Sequence, residues 1–556
     1  MSAAQAAQTA ARGRTVAAVF EASAAQFPRR EFLHIPAEAC RDYASNAVRL
    51  SYADAQPLVG AISAALAAAG YRAGHRVAVA LDNRPEFFLH FLALNALGIS
   101  VVPLNAAMSL KELSFVLAHS DAALAITHAG HAAHVGECLP AGTQLHVTDR
   151  PAAAVPPPLR PAIAASAEAA LLYTSGTTGT PKGCVLTNEY FIDIGHHYMS
   201  LGGYCRFDGE NDRLATPLPV THMNALAVSF MAMLMAGGCL IQLDRFHPST
   251  WWRSLRTSRA TAFHYLGVMP AMLLKAPASE QDNCAGVLRF GFGAGVDPRH
   301  QAAFESRFGV PLIEAWAMTE TGAGAWVTAN HEPRHVGHRC FGKAPPGLEY
   351  RLLGDGGDVL GPGAIGELVV RRGGSDPRKG FFAGYYRDGA ATDEAWTGGW
   401  FHTGDLVRID DEGSFFFVDR SKNVVRRSGE NIAAVEVESA LQSHPDVSAS
   451  AVCPVSDEDR GEEVFAFVVL RPDAAAGAET AMALQRHCRE SLAYFKAPGY
   501  FAFRADLPQT ASQKLARAQI KALAAAALGS GLAFDLRHLK KRDEPGATPR
   551  AAPPRT

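Results

Sequence analysis

The sequence of 556 residues lacks the marks of secreted, nucleic-acid-binding and zinc-clustered proteins. Its nine cysteines are scattered without a C-x-x-C pair, which argues against a disulfide framework or a structural zinc site and suits a reducing cytoplasm. The formal net charge is −2, and there is no basic stripe with interleaved aromatic residues, so nothing favours nucleic acid as a partner. The first residues lack the apolar core of a secretory signal. These absences predict a cytoplasmic protein.

Long apolar runs are also scarce. The stretch ALAVSFMAMLMAGGCLIQL, residues 225–243, has about the length of a membrane span. Gly237 and Gly238 divide it into a helix-like half and a strand-like half. The pattern therefore predicts a buried helix that leads into a buried strand, and no stable insertion into a membrane.

The composition is that of a soluble globular protein, with 48% hydrophobic and 19% charged residues. Because 556 residues exceed what one hydrophobic core supports, we expect two or more domains. Between residues 15 and 420, amphipathic helical runs alternate with short apolar strands, which predicts a large α/β domain of layered, mostly parallel sheets. From about residue 345 the turns and short strands predict a β-rich subdomain within it.

The carboxyl-terminal part predicts a separate unit. Helix and strand patterns over residues 421–530 indicate a small α+β domain. Residues 531–556, which end in a proline-rich and charged segment, are predicted to be a flexible tail. Residues 1–14 are predicted to be a disordered start.

The segment YTSGTTGTPKG, residues 173–183, is rich in glycine and hydroxyl side chains and contains one lysine, Lys182. Such a composition is common in flexible surface loops. It also suits a phosphate-binding loop, because glycines let backbone N–H groups approach an anion while hydroxyls and a lysine add donors. The loop does not match G-x-x-x-x-G-K-[ST], so as a phosphate site it belongs to another family of enzymes.

The segment EAWAMTETG, residues 314–322, allows two interpretations. Trp316 could stack on a base, and Glu320 could offer a hard oxygen ligand to Mg²⁺. The alternative is a buried tryptophan followed by a helix that Thr319 caps.

Two later segments are similarly open. In WFHTGDLV, residues 400–407, Asp405 could accept hydrogen bonds from ribose hydroxyls or cap a turn. The basic and polar segment DRSKNVVRRSGENI, residues 419–432, is typical of a solvated linker when taken alone.

In their order and spacing, these segments resemble the motifs of the acyl-adenylate-forming superfamily, which contains acyl-CoA synthetases, peptide-synthetase adenylation domains and beetle luciferases. The resemblance extends from about residue 15 to residue 525, and the segments LPVTHMNAL and GFGAGVDP are similar to those of the carnitine and crotonobetaine CoA ligases. The matching positions are Thr174 to Gly183, Trp316 to Glu320, Thr403 to Asp405, Arg420 to Lys422, and Lys514 in LPQTASQKLAR. The sequence departs from the family pattern in three segments: Trp316 and Ala317 replace the usual tyrosine and glycine, Asp419 replaces a glycine, and SQK replaces T-G-K.

The resemblance implies an ATP-dependent carboxylic acid–CoA ligase that uses ATP, Mg²⁺ and coenzyme A. A carboxylate attacks the α-phosphorus of ATP to give an acyl-adenylate and pyrophosphate, and the thiol of coenzyme A then expels AMP. The reaction needs no protein nucleophile, so catalysis rests on positioning and charge stabilisation. The resemblance also implies a small, mobile carboxyl-terminal domain that swings about a hinge at Lys422 between the two half-reactions.

The resemblance further implies roles for single residues. Lys514 is expected to act in adenylation, His222 to lie between the acyl carboxylate and the thiol tunnel, and Gly429 to line that tunnel. Glu320 is expected to bind Mg²⁺, and Thr319 the α-phosphate. The other expected nucleotide contacts are Thr174, Ser175, Gly176, Thr177, Thr178 and Lys182 for the triphosphate, Gly293, Ala294, Gly295, Ala315 and Trp316 for the adenine, and Asp405 and Arg420 for the ribose and phosphates.

Several points stay open in the sequence. The apolar, methionine-rich residues after His222 favour an apolar acyl chain. No carrier domain follows the small domain, which favours coenzyme A over a carrier protein; a carrier in trans, a nucleotide-binding sensor and a luciferase-like oxidase are the alternatives. A homodimer is an open alternative for the assembly. His128, His131 and His134 have metal-like spacing but no supporting acid beside them, so they are interpreted as a solvated loop or helix face.

Overall fold

The computed structural model describes residues 15–148, 154–159, 167–174, 181–209, 211–279, 282, 284–354, 356–427, 430–457, 460–509 and 514–540. The chain divides into two compact units. The first unit is Met1–Thr403 with Val407–Phe417, and the second is Gly404–Leu406 with Val418–Thr556. The predicted disordered start lies outside the described residues, as do residues 541–556.

The described residues form α-helices that are short to medium in length, numbered in chain order. They are α1 Val16–Gln26, α2 Tyr52–Ala68, α3 Pro85–Ala96, α4 Leu110–His119, α5 Ala132–Glu137, α6 Asn188–Ser200, α7 Phe230–Ala236, α8 Trp251–Thr257, α9 Val268–Leu274, α10 Pro298–Phe308, α11 Gly389–Ala395, α12 Ala434–Gln442, α13 Ala478–Ser491 and α14 Arg517–Gly529. Polar side chains cap several amino termini. Ser51 and Asp54 form a capping box at α2, and Ser109 and Glu112 form another at α4.

The strands of the described residues form three sheets. In the first unit they are β1 Glu31–Ile35, β2 Val48–Ser51, β3 Arg76–Ala80, β4 Ser100–Pro103, β5 Leu124–Thr127, β6 Gln144–Val147, β7 Glu168–Thr174, β8 Lys182–Thr187, β9 Arg213–Thr216, β10 Cys239–Gln242, β11 Ala262–Leu266, β12 Phe290–Ala294, β13 Leu312–Trp316, β14 Val327–Thr328, β15 Cys340–Lys343, β16 Leu348–Leu353, β17 Ile365–Arg372 and β18 Gly384–Tyr385. Two strands near the division of the units are β19 Phe401–Ile409 and β20 Ser414–Arg420. The second unit continues with β21 Val425–Arg427, β22 Glu430–Ile432, β23 Val447–Asp457, β24 Gly461–Leu470, β25 Tyr500–Phe503 and β26 Phe534–Asp535.

The two larger sheets combine parallel and antiparallel pairs. The seven-stranded sheet has the order β18-β8-β7-β4-β3-β5-β6, and β3 to β7 pair in parallel within it. The thirteen-stranded sheet has the order β16-β17-β19-β20-β15-β14-β13-β12-β11-β9-β10-β1-β2, with a parallel part from β13 to β1. This architecture confirms the predicted α/β class, and β14 to β20 supply its β-rich part.

Helices α3 and α7 contribute to one hydrophobic core that also contains residues of both larger sheets. The ring of Phe230 stacks on Phe88 with 5.0 Å between centroids. A π-helical turn, Asn224–Ser229, precedes α7, and Gly237 ends the helix with φ 61° before β10 begins. The predicted buried helix and buried strand over residues 225–243 are therefore confirmed. Among the described helices, none combines the length and the apolar composition that crossing a membrane requires.

Burial of this helix changes the interpretation of its methionines. Met231 and Met233 are 0% and 1% exposed and belong to the core, so they do not form the wall of an open acyl pocket. The expectation of an apolar acyl chain rested on these residues. Core packing accounts for them instead, because methionine fills irregular gaps between packed elements.

The second unit contains a six-stranded sheet in the order β22-β21-β24-β25-β26, with β23 paired to β24. Phe534–Asp535 pairs with β25, and the fully buried Lys540 ammonium forms an ion pair with Glu463. The segment from Phe534 to Lys540 thus belongs to the folded unit, whereas the sequence assigned it to a flexible tail from residue 531. A two-residue strand and an ion pair between residues far apart in sequence leave no periodic pattern to predict them.

Candidate active site

The glycine-rich loop joins the adjacent antiparallel strands β7 and β8. Thr174 ends β7 and pairs in register with Lys182 at the start of β8, so the hairpin holds these two side chains at the base of the loop. Ser175, Gly176, Thr177 and Thr178, the other predicted triphosphate contacts, lie outside the described residues.

Tyr385 connects Lys182 to Glu320. The Lys182 ammonium lies 4.8 Å from the centroid of the Tyr385 ring, and the Tyr385 hydroxyl donates a hydrogen bond of 3.0 Å to Oε1 of Glu320. Burial, and then the Glu320 carboxylate, raise the pKa of Tyr385, so its hydroxyl keeps the proton that it donates. Strand β18 places Tyr385 here by pairing with β8, a contact that no local motif predicts.

A tight turn presents Thr319 and Glu320. The Met318 N–H donates to Oγ1 of Thr321, which is fully buried, and Tyr190 donates its hydroxyl proton to the Thr319 carbonyl at 2.8 Å. The Glu320 carbonyl accepts from the N–H of Phe382, and the Glu320 side chain is 7% exposed. The turn therefore holds the half-buried residue Thr319 next to a nearly buried carboxylate.

The predicted adenine segment lies at the carboxyl end of β12, between the parallel strands β11 and β13, where α/β sheets commonly bind ligands. Ala294 and Gly295 are exposed there. The Gly295 N–H donates to Oε2 of Glu314 at 2.8 Å, and the Tyr265 hydroxyl donates to Oε1 of the same carboxylate at 2.5 Å. Burial raises the pKa of Glu314 despite these hydrogen bonds. Sequence reasoning missed Glu314, whose carboxylate holds the backbone of the predicted adenine segment at Gly295.

Trp316 and Ala315 occupy opposite faces of β13, because successive strand residues alternate. The Trp316 side chain is largely buried, and its ring lies 6.0 Å from Phe341 at 30°. Ala315 is half-buried. The indole is thus mainly a core group with little exposed surface, and its predicted contact with adenine stays a prediction.

His222 lies in a turn directly before the π-helical turn Asn224–Ser229. Its N–H donates to the Pro219 carbonyl at 3.0 Å. Asn83 fixes the residues before this turn, because its Oδ1 accepts from the Val220 N–H and its Nδ2 donates to the Leu218 carbonyl. Sequence reasoning missed Asn83, since it follows β3 and lies far from residue 222 in the chain.

Tyr190 links the His222 segment to the Thr319 turn. Its hydroxyl, bonded to the Thr319 carbonyl, lies 3.9 Å from the sulfur of Met223. Three segments that are distant in sequence thus meet at one tyrosine of α6.

The second unit brings together three of its predicted residues. Nε of Arg420 lies 2.5 Å from Oδ1 of Asp405, whose side chain is 1% exposed. Lys514 is exposed as a whole residue, but desolvation of its ammonium and the nearby Arg420 charge lower its pKa, against the opposing effect of Asp405. Two cations and one anion therefore lie near one another.

Asp419, which departs from the family pattern, makes contacts that explain its burial. Its Oδ1 accepts from the Arg420 N–H at 2.6 Å and from Nδ2 of Asn423 at 3.2 Å, and its Oδ2 accepts from the Val435 N–H at 3.1 Å. It ties the turn Ser421–Asn423 to the start of α12. The predicted hinge Lys422 belongs to this turn, but its side chain lies outside the described part, as does Gly429.

Residues 20–386 match the family described as AMP-binding enzyme, and residues 436–514 match the AMP-binding enzyme C-terminal domain. The chain belongs to the AMP-binding enzyme family. It is 34% identical over 527 residues to the sulfoacetate–CoA ligase of Cupriavidus necator, covering 91% of this chain and 97% of the relative. It is 30% identical over 497 residues to a crotonobetaine/carnitine–CoA ligase of Citrobacter koseri, covering 85% and 93%.

Solved structures show the same relationship for this AMP-binding enzyme. The o-succinylbenzoate CoA synthetase of Bacillus subtilis, solved with its acyl-adenylate intermediate, has a TM-score of 0.76 and 27% identity, covering 90% of this chain and 97% of that one. The same synthetase with ATP and a magnesium ion has a TM-score of 0.75 at 27% identity, covering 90% and 99%. The recognised superfamily is confirmed, and this AMP-binding enzyme is an acid–thiol ligase that forms an acyl-adenylate and then an acyl-CoA. The carrier-loading and sensor alternatives receive no support.

Proposed function

We propose that this enzyme activates a short, polar carboxylic acid with Mg·ATP and transfers the acyl group to coenzyme A. One observation supports the adenylation part of the proposal. At the base of the glycine-rich loop, Tyr385 contacts both the Lys182 ammonium and the Glu320 carboxylate, so a cation and an anion lie beside the predicted phosphate site. Relatives named for sulfoacetate and for crotonobetaine and carnitine support the choice of a small polar acid.

The residues around Glu320 fit a magnesium ion. Mg²⁺ takes one or two carboxylates together with substrate phosphates, and Glu320 is a nearly buried carboxylate with the neutral Tyr385 hydroxyl on one oxygen. When bound, Mg²⁺ would neutralise charge on the ATP phosphates. Lys182 adds a point charge for the phosphates, and Thr319 offers a hydroxyl to the α-phosphate.

In the second unit, Lys514 is proposed to offset negative charge as the acid attacks the α-phosphate. Asp405 accepts hydrogen bonds from the ribose hydroxyls, and Arg420, which pairs with Asp405, contributes to phosphate binding. Lys422 as the hinge and Gly429 as part of the thiol tunnel rest on the family resemblance. A cytoplasmic location and a homodimer stay predictions of the sequence.

Asn224 supports a polar acid over an apolar one. It lies two residues after His222, and its Oδ1 is 2.6 Å from Nδ1 of the fully buried His264. Burial lowers the pKa of His264 to about 3, so its ring is neutral, and Nε2 lies 2.8 Å from the Tyr198 hydroxyl. The amide oxygen Oδ1 of Asn224, at Nδ1, can only accept a hydrogen bond. The His264 proton is therefore on Nδ1 and donates to Asn224.

The hydrogen bond from His264 determines which end of the Asn224 amide is available to a substrate. With Oδ1 held by His264, the Nδ2 group of this half-buried residue makes no hydrogen bond within the described part of the chain. An acid whose tail carries an acceptor, such as a sulfonate or hydroxyl, would satisfy it. A purely apolar tail would leave the amide unpaired, which costs roughly 1–3 kcal/mol.

The test compares two acids of similar size, sulfoacetate and butyrate, by pyrophosphate release with ATP, Mg²⁺ and coenzyme A. We expect the wild type to prefer sulfoacetate. Asn224→Leu should lower kcat/KM for sulfoacetate by about tenfold or more and leave that for butyrate unchanged or higher, since the unpaired polar group is removed. Asn46→Leu, at an exposed asparagine, is the matched control. An equal loss with both acids would refute the assignment of Asn224, and release without consumption of coenzyme A would refute the acceptor.

A further inference from the structure

A cluster of metal-ligating side chains outside the proposed nucleotide site contains Asp82, His128 and His131. Asp82 follows β3 and His128 follows β5. These strands are parallel neighbours with Ala80 opposite Thr127, so their carboxyl ends bring the two residues side by side. The sequence showed the histidine spacing but no acid beside it. That interpretation was incomplete, because the acid follows β3 and lies 46 residues before His128 in the chain.

The two imidazoles converge on one carboxylate oxygen. Oδ2 of Asp82 lies 2.7 Å from Nε2 of His131 and 3.1 Å from Nε2 of His128. The three ligand atoms all lie within 4.8 Å of one another, and the ring centroids are 4.4 Å apart. Asp82 adopts the left-handed backbone conformation with φ 51°, which aspartate tolerates better than most residues.

The cluster is open on one side. The His128 side chain is 8% exposed, whereas those of His131 and Asp82 are 29% and 45% exposed. The third histidine of the sequence motif, His134, does not join the cluster, because its Nε2 bonds to the Met108 carbonyl at 3.0 Å. Three protein ligands with an accessible side leave room for water in the coordination sphere, as in zinc sites that hold a water in the fourth position.

We propose that Asp82, His128 and His131 bind a divalent transition-metal ion such as Zn²⁺. Two imidazoles and one carboxylate suit zinc and its neighbours, whereas Mg²⁺ prefers oxygen ligands alone. The site is therefore chemically distinct from the magnesium site proposed at Glu320. It stands independently of the proposed reaction.

A hydrogen bond at Gly130 limits the expected affinity. The Gly130 N–H donates to Nδ1 of His128 at 3.1 Å, so a neutral ring carries its proton on Nε2, directed at Asp82. A metal at Nε2 takes the place of that proton, and the ring proton then resides on Nδ1. Binding must therefore open the short turn at Gly130, and we expect weaker binding than at a preformed structural zinc site.

The test titrates the chelator-stripped full chain with Zn²⁺ alone, using a competing chromophoric chelator, and repeats the titration with Mg²⁺. We expect one zinc site that Mg²⁺ does not occupy. His131→Asn and Asp82→Asn should each lower the zinc affinity at least tenfold. Both positions are partly exposed, and asparagine tolerates the backbone conformation of residue 82, so neither change should prevent folding.

His134→Asn is the matched control, because this neighbouring histidine lies outside the cluster. It should leave the affinity and the stoichiometry unchanged. Replacement of Zn²⁺ by Co²⁺ gives a second readout, a visible absorption band that the wild type and His134→Asn show and His131→Asn loses. Equal zinc affinity in the wild type and both cluster variants would overturn the proposal, as would a wild type that binds no zinc.

Discussion

At the scale of single residues, Tyr385 determines how the two charged groups of the glycine-rich loop region are arranged. Its ring supports the Lys182 ammonium and its hydroxyl holds Glu320. Because the raised pKa keeps this hydroxyl protonated, Glu320 retains a neutral partner on one oxygen and its charge stays available for a cation. Glu320 is thus the residue on which the metal assignment depends.

Glu320→Gln should abolish magnesium-dependent adenylation while the protein stays folded. Glutamine keeps the shape and can still accept from Tyr385, but it removes the negative charge that attracts the metal. We expect pyrophosphate release to fall by about a hundredfold or more, in line with the loss of one preorganised electrostatic contact. The measurement is pyrophosphate release over a range of Mg²⁺ concentrations, with circular dichroism to verify the fold.

The control for this change is Glu349→Gln, at a glutamate that is 45% exposed and pairs with Arg371 across two surface strands. It should leave turnover unchanged. Normal turnover in Glu320→Gln would mean that Glu320 is structural and that the metal assignment is wrong.

At the scale of elements, the region of the predicted hinge is organised by one carboxylate that joins a strand, a turn and a helix. Asp419 lies at the end of β20, accepts from Asn423 in the following turn and accepts from the Val435 N–H at the start of α12. Helix starts leave backbone N–H groups without intrahelical partners, and an aspartate commonly supplies the acceptor from a neighbouring position.

Asp419→Ala should lower the free energy of unfolding by about 1 kcal/mol, because it removes the acceptor of three partly buried hydrogen bonds. Asp419→Asn is the matched variant, since it keeps one acceptor and should cost less. The measurement is urea denaturation followed by circular dichroism. Equal stability of the wild type and Asp419→Ala would show that these hydrogen bonds contribute nothing.

The same elements show what the sequence could and could not predict. Periodicity predicted the buried helix and strand at residues 225–243, because a long apolar run divided by two glycines has few other solutions. It could not predict that the methionines of that helix are core residues rather than a pocket wall, since exposure depends on which helices pack against it. Motif spacing predicted Lys182 and Glu320 but not Tyr385, which reaches them through the pairing of β18 with β8.

Long-range partners were missed for one physical reason. Glu314 and Asp82 act across neighbouring strands, whereas Asn83, after β3, bonds to Val220, which follows a strand of the other large sheet. A single sequence carries no signal for which strands and sheets become adjacent. The fold class could be predicted, because it depends only on the alternation of helical and strand patterns along the chain.

At the scale of the whole molecule, the chain forms two compact units, and the predicted reaction residues are divided between them. Lys514 belongs to the second unit together with Asp405 and Arg420, whereas Lys182 and Glu320 belong to the first. If the second unit changes its role between half-reactions, a substitution at one of its residues should impair one half-reaction and spare the other.

Lys514→Ala should reduce acyl-adenylate formation from acid and ATP by about a hundredfold or more, because a cation that offsets developing charge is lost. The same variant, given chemically prepared acyl-adenylate, should form the thioester at nearly the wild-type rate. Gly429→Leu, a prediction that rests on the family resemblance, should accumulate adenylate and stall thioester formation. The measurement is the rate of each half-reaction in single turnover. Equal damage to both steps in each variant would favour one fixed active site.

The division of the chain at residues 404–406 has a consequence for exchanging parts between synthetases. Gly404–Leu406 groups with the second unit although residues on both sides of it in β19 group with the first. A chimera joined at residue 418 would import Arg420 and Lys514 from a donor but keep the host's Asp405, splitting an ion pair between two parents. A recombinant that takes Gly404–Leu406 from the donor along with the carboxyl-terminal part should keep both partners of the Asp405–Arg420 ion pair from one parent. The natural unit of exchange is therefore discontinuous in the gene.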